Sequence, residues 1–212
     1  FSSNRNGSFD LYEKAATSAG SERLVLESPL PKIAADWSPD GKYLLYSERD
    51  PKTGPDLWVL PLDNGQKPRE FLKTGFSELW GQFSPDGRWV AYQSDESGRF
   101  EIYVRAFAGK EGQWQISTTG GVYPRWAPEG RELYYVAPEE RLMAVPIQLA
   151  SNGESVETRT PVPLFTTRVG GAVQQTGFTP QYVGAPDGRF LMNTVVEDAN
   201  GPPITVISNW KA

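Results

Sequence analysis

The stretch "WSPDGKYLLYSE" (residues 37–48) decides the architecture, because the chain writes it again as "FSPDGRWVAYQSD" (83–95), "WAPEGRELYYVA" (126–137) and "GAPDGRFLMNT" (184–194). Each copy reads as a tight turn followed by a strand. Pro fixes φ at the second turn position, Asp bonds its own local backbone, and Gly accepts the positive φ that closes the hairpin. After the first turn Tyr43, Leu45 and Ser47 point one way and Leu44 and Tyr46 the other. Both faces carry apolar residues, as expected of a sheet packed between two neighbours.

The turn prolines Pro39, Pro85, Pro128 and Pro186 lie 46, 43 and 58 residues apart. Periods in the forties with several strands per unit mark a propeller blade. Third strands follow as "DLYEKA" (10–15), "DLWVLPL" (56–62), "EIYVRAF" (101–107), "RLMAVPI" (141–147) and "ITVISNW" (204–210). Fourth, edge-like strands follow as "ERLVLES" (22–28), "REFLKT" (69–74), "WQISTT" (114–119) and "PLFTTR" (163–168). Pro68 and Pro163 sit near these outer strands, where a missing amide donor is tolerated. The fold class is therefore all-β, a β-propeller of four-stranded antiparallel blades.

Residues 1–212 read as one propeller domain or fragment. Full blades fall at about 31–74, 77–119 and 121–168, with partial blades at 1–28 and 179–212, 18 strands in all. "QLASNGESVETRTP" (148–161) lengthens the outer hairpin of the third full blade, and "VGGAVQQTGFTP" (169–180) is a Gly-rich connection between blades. A propeller ring closes by mixing terminal strands in one blade. Here both end blades carry strands two and three, so two readings stand: a piece of a larger propeller begun upstream, or a five-bladed ring with ragged edges.

Composition narrows the chemistry. The chain has neither Cys nor His, which excludes disulfides, thiolate or imidazole metal sites, cysteine nucleophiles and Ser-His-Asp catalysis. Net charge is −5 with the basic residues scattered, which argues against a nucleic-acid groove. No run of 18 apolar residues occurs, so no membrane insertion is expected of this chain. No signal peptide pattern is visible. No cofactor is expected. The turn acids Asp40, Asp86, Asp187 and Glu129 belong to separate blades and read as turn formers rather than calcium ligands.

The tryptophans divide by position. Trp37 and Trp126, with Phe83 equivalent, read as core between blades, and Trp58, equivalent to Tyr12 and Tyr103, as another core position. Trp80 has no aromatic counterpart at its offset that repeats, which frees it for binding. In a propeller the first strand of each blade lines the central channel. The segments entering it, "LPKIAAD", "FSELWGQ", "GGVYPR" and "FTPQYV", offer Glu78, Trp80, Gln82, Tyr123, Arg125, Gln181 and Tyr182. That mixture of aromatic planes and hydrogen-bonding groups suits a protein, a peptide or a small polar ligand at the channel mouth. The bland alternative is that Arg125 and Gln82 merely hydrate a channel. Asp36 and Glu78 share the mouth as candidate acids for a glycosidase, whose carboxyls must stand roughly 5–9 Å apart. Alanine at Trp80 or Arg125 is expected to weaken binding at little cost in stability, and alanine at Trp37 to cost about 3–5 kcal/mol.

The four repeats, with "-W-S-P-D-G-" leading through "Y-x-S-(D/E)" to "(D/E)-(L/I)-(W/Y)-V", resemble the TolB-like β-propeller, a WD-type repeat with a Pro-Asp turn. The last two depart from it, with Ala127 and Ala185 in place of Ser and Gly184 in place of the aromatic. More narrowly, "GGVYPRWAPEGRELYYVAPEERLMAVPI", "PLF" and "PPITVISNW" resemble the C-terminal propeller regions of bacterial membrane-bound serine/threonine protein kinases. That resemblance implies a periplasmic or extracytoplasmic sensor or scaffold without catalysis of its own, with a kinase domain upstream in the same polypeptide. Kinase motifs and "G-x-S-x-G" are both missing here. Two rivals remain open: a carbohydrate-active propeller enzyme using Asp and Glu in the funnel, and the gating propeller of a serine peptidase whose hydrolase lies elsewhere.

Overall fold

The computed structural model describes residues 1–17, 20–63, 65–108, 112–169 and 181–194, and the backbone of 204–207. Its strands form successive antiparallel sheets in chain order. The first sheet holds β1 (Ser2–Asn6), β2 (Ser8–Lys14) and β3 (Glu22–Leu26). The second holds β4 (Lys32–Trp37), β5 (Tyr43–Asp50), β6 (Gly54–Pro61) and β7 (Arg69–Leu72). The third holds β8 (Glu78–Phe83), β9 (Trp89–Ser94), β10 (Glu101–Ala106) and β11 (Gln113–Gln115). In the fourth, β12 (Val122–Trp126), β13 (Glu132–Ala137) and β14 (Arg141–Leu149) are joined by β15 (Val156–Thr158) and β16 (Val162–Thr166), both paired with β14. The last holds β17 (Tyr182–Gly184), β18 (Phe190–Asn193) and β19 (Ile204–Ile207).

These sheets follow the strands expected from the repeat, and β15 is an addition. It lies in the long outer hairpin of the fourth sheet, where "SVET" has the length and β-branched content for three ladder pairs with Ile147–Leu149. The connection at 170–180, the "EDANGPP" loop and the end of "ITVISNW" lie outside the described residues.

Each inner hairpin is made by the predicted turn, and its detail shows why the motif recurs. Ser38 Oγ donates to Asp40 Oδ1 (2.7 Å) and accepts from the Tyr43 amide (2.9 Å), while Asp40 Oδ1 also accepts from the Lys42 amide (3.1 Å). The third sheet repeats this: Ser84 Oγ to Asp86 Oδ1 at 2.6 Å, the Trp89 amide to Ser84 Oγ at 3.0 Å, and the Arg88 amide to Asp86 Oδ1 at 3.1 Å. Gly41 (φ 75°) and Gly87 (φ 70°) take the left-handed position that any other residue would resist.

A second repeated device is a buried acid at the head of the third strand. Asp10, Asp56 and Glu101 are all buried. Asp10 Oδ1 meets the fully buried Lys32 Nζ at 3.3 Å, and that ammonium also donates to the carbonyls of Ser28 (3.2 Å) and Leu30 (2.6 Å). Asp56 accepts from Thr53 Oγ1 at 2.7 Å, and Glu101 from Ser117 Oγ, the Gly120 amide (2.8 Å) and Arg99 Nε (2.9 Å). Such burial is tolerable because each charge is paired or multiply hydrogen-bonded. In the fourth sheet Arg141 occupies this position and is exposed.

The chain divides into two compact units, Phe1–Gly81 and Gln82–Ala212, with the boundary inside β8. The first unit's core gathers Leu11, Tyr46 and Leu60, with Leu26, Leu44 and Trp58 against them. The second packs Trp89, Ile102, Val104, Trp126, Leu133 and Val145 together.

Two expectations about tryptophans are corrected. Trp126 is buried (7% exposed), but Trp37 at the same turn position is 49% exposed and is not core. The reason is a missing neighbour. Trp126 is covered by Gln82 of an inner strand, the Trp126 amide donating to Gln82 Oε1 (2.7 Å) and the indole N–H to the Gln82 carbonyl (3.1 Å). The sheet preceding Trp37 has no strand in that place. Trp58 is only half-buried, where Tyr12 and Tyr103 are buried. Lys73 Nζ stands 5.9 Å from its ring centre. Accordingly Trp126→Ala should lower stability by about 3–5 kcal/mol and Trp37→Ala by less than about 1 kcal/mol, read by chemical denaturation of the two variants side by side.

Candidate binding surface

Inner strands here are not straight. The pairing of β4 with β5 slips between Ala34 and Asp36, and that of β12 with β13 between Val122 and Arg125. Tyr123 stands five residues before its turn proline, as Ala34 does, and so does Trp80 in β8. Trp80 and Tyr123 have φ of 55° and 57°, a left-handed conformation that a bulky side chain takes only when its surroundings enforce it. A bulge of this kind redirects side chains along the strand.

The surroundings that enforce it at Tyr123 are specific. Its amide donates to Gln93 Oε1 of β9 (2.9 Å), and its carbonyl accepts from the Tyr182 hydroxyl of β17 (2.9 Å). Burial pushes the Tyr182 phenol far above its ordinary value, opposed by the nearby Arg125 charge. The bulge is thus fixed through both backbone groups of one residue, and Arg125 follows two residues later.

The seven residues expected at a channel mouth are distributed as follows. Glu78 and Trp80 belong to the first unit and are buried, with Glu78 accepting from Thr74 Oγ1. The other five belong to the second unit, where a hydrogen bond joins two of them. Tyr123 and Tyr182 are buried and joined by their hydrogen bond. Gln82 is half-buried and holds Trp126, the residue after Arg125. Arg125 is half-buried, with Nη1 donating to the Pro124 carbonyl (3.0 Å). Gln181 is half-buried, its Oε1 accepting from Asn193 Nδ2 (2.9 Å). Solvent-facing character within the set therefore rests with Gln82, Arg125 and Gln181, while the other four are buried.

Sequence reasoning missed Gln93. A polar residue on an alternating strand carries no mark of what it supports. It also missed a groove of about 820 Å³ in the second unit, between the turns at 84–86 and 129–131 and the strand segments 146–149 and 157–159. The length of the 148–161 insertion was the available signal. Arg131 and Arg159 line this groove and make no ion pair or side-chain hydrogen bond among the described residues.

Each of the buried acids has a hydrogen-bond partner. Glu78 is bound to Thr74, and Asp10 and Glu101 are engaged as described. Burial raises the Asp56 carboxyl, opposed by Thr53 and Lys73. Among the described residues no group of three or more acids is placed to hold a metal ion, and no helix is long and apolar enough to cross a membrane.

Comparison with known proteins places the fold. No family model matches the sequence. An uncharacterized protein of Agrobacterium fabrum is 30% identical over 152 residues, covering 67% of this chain and 50% of that protein, so the chain spans half the length of this relative. Among solved structures, TolB from Acinetobacter baumannii aligns with a TM-score of 0.62 at 20% identity, over 92% of this chain and 45% of that one. A TolB-like structure from Agrobacterium tumefaciens aligns at 0.56 and 22% identity, over 76% of this chain and 60% of that one. An oligogalacturonate lyase in complex with manganese aligns at 0.55 and 16% identity, over 87% of this chain and 50% of that one. The fold is thus that of a TolB-like β-propeller, built of antiparallel sheets of three to five strands.

Tyr182→Phe removes the donor to the buried Tyr123 carbonyl and should cost about 1–3 kcal/mol. The phenol's raised value makes a second readout. Its stabilising contribution is complete below the unfolded value of about pH 10 and is lost as pH rises from there toward the folded value. Equilibrium unfolding at neutral and alkaline pH should show a shallower alkaline loss for the Phe variant than for the parent.

Proposed function

We propose that this chain is a non-catalytic binding module of TolB-like propeller fold, working outside the cytoplasm, which docks a protein or extended peptide through Arg125 and Gln181. The observation carrying this reading is the fixed setting of Arg125. Its guanidinium is half-exposed beside a bulge locked by Gln93 and Tyr182, so little ordering cost remains when a partner arrives. Arg anchors held in this way are frequent binding determinants. Gln82 and Gln181 are the other half-buried members of the set within the second unit, and Tyr123 and Tyr182 are its buried support. Commitment of the buried acids to structural partners favours binding over a lyase or glycosidase chemistry. The likeness of residues 120–147, 163–165 and 202–210 to kinase-borne propellers extends the proposal: the module is the sensing part of a bacterial serine/threonine kinase whose catalytic domain lies upstream.

A second reading has its own observation, the unpartnered Arg131 and Arg159 in the groove. One experiment separates the two. A benzophenone amino acid at position 181, irradiated in cells expressing the full-length protein, should give a discrete protein adduct identifiable by mass spectrometry. Arg125→Ala should diminish that adduct severalfold while changing stability by no more than about 0.5 kcal/mol. An adduct indifferent to Arg125→Ala but lost in the Arg131→Ala/Arg159→Ala pair would move the site to the groove.

A further inference from the structure

The 148–161 insertion carries a third strand past its usual end. In the second and third sheets that strand stops where a last amide reaches the residue after the turn Gly. Leu62 donates to the Lys42 carbonyl (2.8 Å) and Phe107 to the Arg88 carbonyl (2.7 Å). Ile147 makes the same bond to the Arg131 carbonyl (2.9 Å), but β14 continues to Leu149. Only β15 accompanies the continuation. The Arg159 amide donates to the Pro146 carbonyl and the Ala150 amide to the Ser155 carbonyl (3.0 Å each), so the hydrogen-bonded pairs on that side fall at Pro146, Gln148 and Ala150. In an antiparallel ladder the residue between two such pairs turns its N–H and C=O the other way. Leu149 therefore presents both groups to the side where β13 has ended, since the ladder between β13 and β14 stops at Glu132 and Pro146.

This projecting edge is a wall of the 820 Å³ groove, which Leu149 lines together with Arg131 and Arg159. Packing holds the wall in place. Leu149 and Val156 lie against the core of Trp89 and Ile147, and a Cβ added to Gly153 would stand 3.5 Å from the Ala106 Cβ of β10. We infer that the groove takes a short extended peptide, which pairs with the Leu149 amide and carbonyl as an added strand and delivers one carboxylate to Arg131 and Arg159. An open strand edge is a ready template for such pairing, and a guanidinium fork grips a carboxylate through two parallel hydrogen bonds. Asp86, Glu129 and Glu157 also line the groove, so it carries no excess of positive charge. Close contact with a single carboxylate, rather than a field that gathers polyanions, is what it offers. The site is the groove of the second reading above and is separate from Arg125.

The test begins with random heptapeptides displayed on phage, selected against the full 212-residue chain. One library ends in a free C-terminus and the other is joined to the coat protein at that end. Enriched peptides should carry one carboxylate, and the library that yields them tells a terminal carboxylate from an Asp or Glu side chain. Made as fluorescein conjugates, they should bind saturably by anisotropy and weaken on the order of tenfold with Arg131→Ala/Arg159→Ala, two exposed positions whose replacement leaves the fold intact. Amide hydrogen exchange reads the edge directly. The Leu149 amide should exchange quickly in the free protein, beside a protected Ile147, and slow when peptide is added. A Leu149 amide already protected without peptide, no enriched peptide, enrichment of polyacidic runs only, or binding indifferent to the arginine pair overturns the inference. Binding lost in Arg125→Ala but kept in the Arg131→Ala/Arg159→Ala pair also overturns it and assigns the peptide to the Arg125 surface.

Discussion

The Ser-Pro-Asp-Gly turn is the constraint on which the remaining structure depends. Its hydroxyl and carboxylate together satisfy the amides four and five residues beyond Ser38 or Ser84, which fixes the register in which the strand leaves the turn. Because side chains alternate along a strand, that register decides which residues enter the core, and a slip by one would turn every apolar face outward. The turn's own backbone bond, from the Gly amide to the carbonyl three residues earlier, is kept where Ser becomes Ala: 2.9 Å at Gly130 and 3.1 Å at Gly188, against 2.8 Å at Gly41 and Gly87. Backbone geometry is the part the repeat preserves, and the Ser–Asp bond is reinforcement.

Between sheets, the order comes from polar keys rather than from apolar contact alone. A side chain on a second strand, Ser2 or Gln93, accepts the amide at the bulge of the next inner strand. Since an unsatisfied buried amide is costly, each key fixes the offset between two sheets. The left-handed Tyr123 is held in place by this arrangement, because its amide and carbonyl find partners only in that conformation.

How legible all this was in the sequence follows from the range of each interaction. The turn, the alternating strands and the acid heading the third strand of the first three sheets are local patterns, and they sit where the repeat puts them. What lies beyond a few residues was less accessible. Trp37 and Trp126 share their spacing to the turn proline and have opposite burial, because what covers Trp126 is Gln82 of a strand distant in sequence. Trp80 and Tyr123 looked free to bind because their position varies between repeats, but variation there reflects which ring the bulge turns inward. Asx and Ser/Thr chemistry made the turn readable, while a supporting Gln such as Gln93 has no local signature. The residues of the proposed binding surface were legible as a polar group near the channel strands, and their division into exposed and supporting members was not.

Where the repeat fails is informative for the same reason. A position that every sheet uses for register or burial is committed to the fold, and departures concentrate in the fourth sheet. Ala127 replaces the turn Ser, Glu129 the turn Asp, and Arg141 the buried acid, and the 148–161 insertion adds β15. Each change removes a structural bond or adds exposed surface, which a fold under structural demand alone has no reason to gather in one place. Arg125, Arg131 and Arg159 belong to that same sheet or its connections, and among the described residues Arg131 and Arg159 make no ion pair or side-chain hydrogen bond. A position that no longer holds register or burial is released from the fold's demands, so the fourth sheet is where the repeat leaves side chains uncommitted to structure.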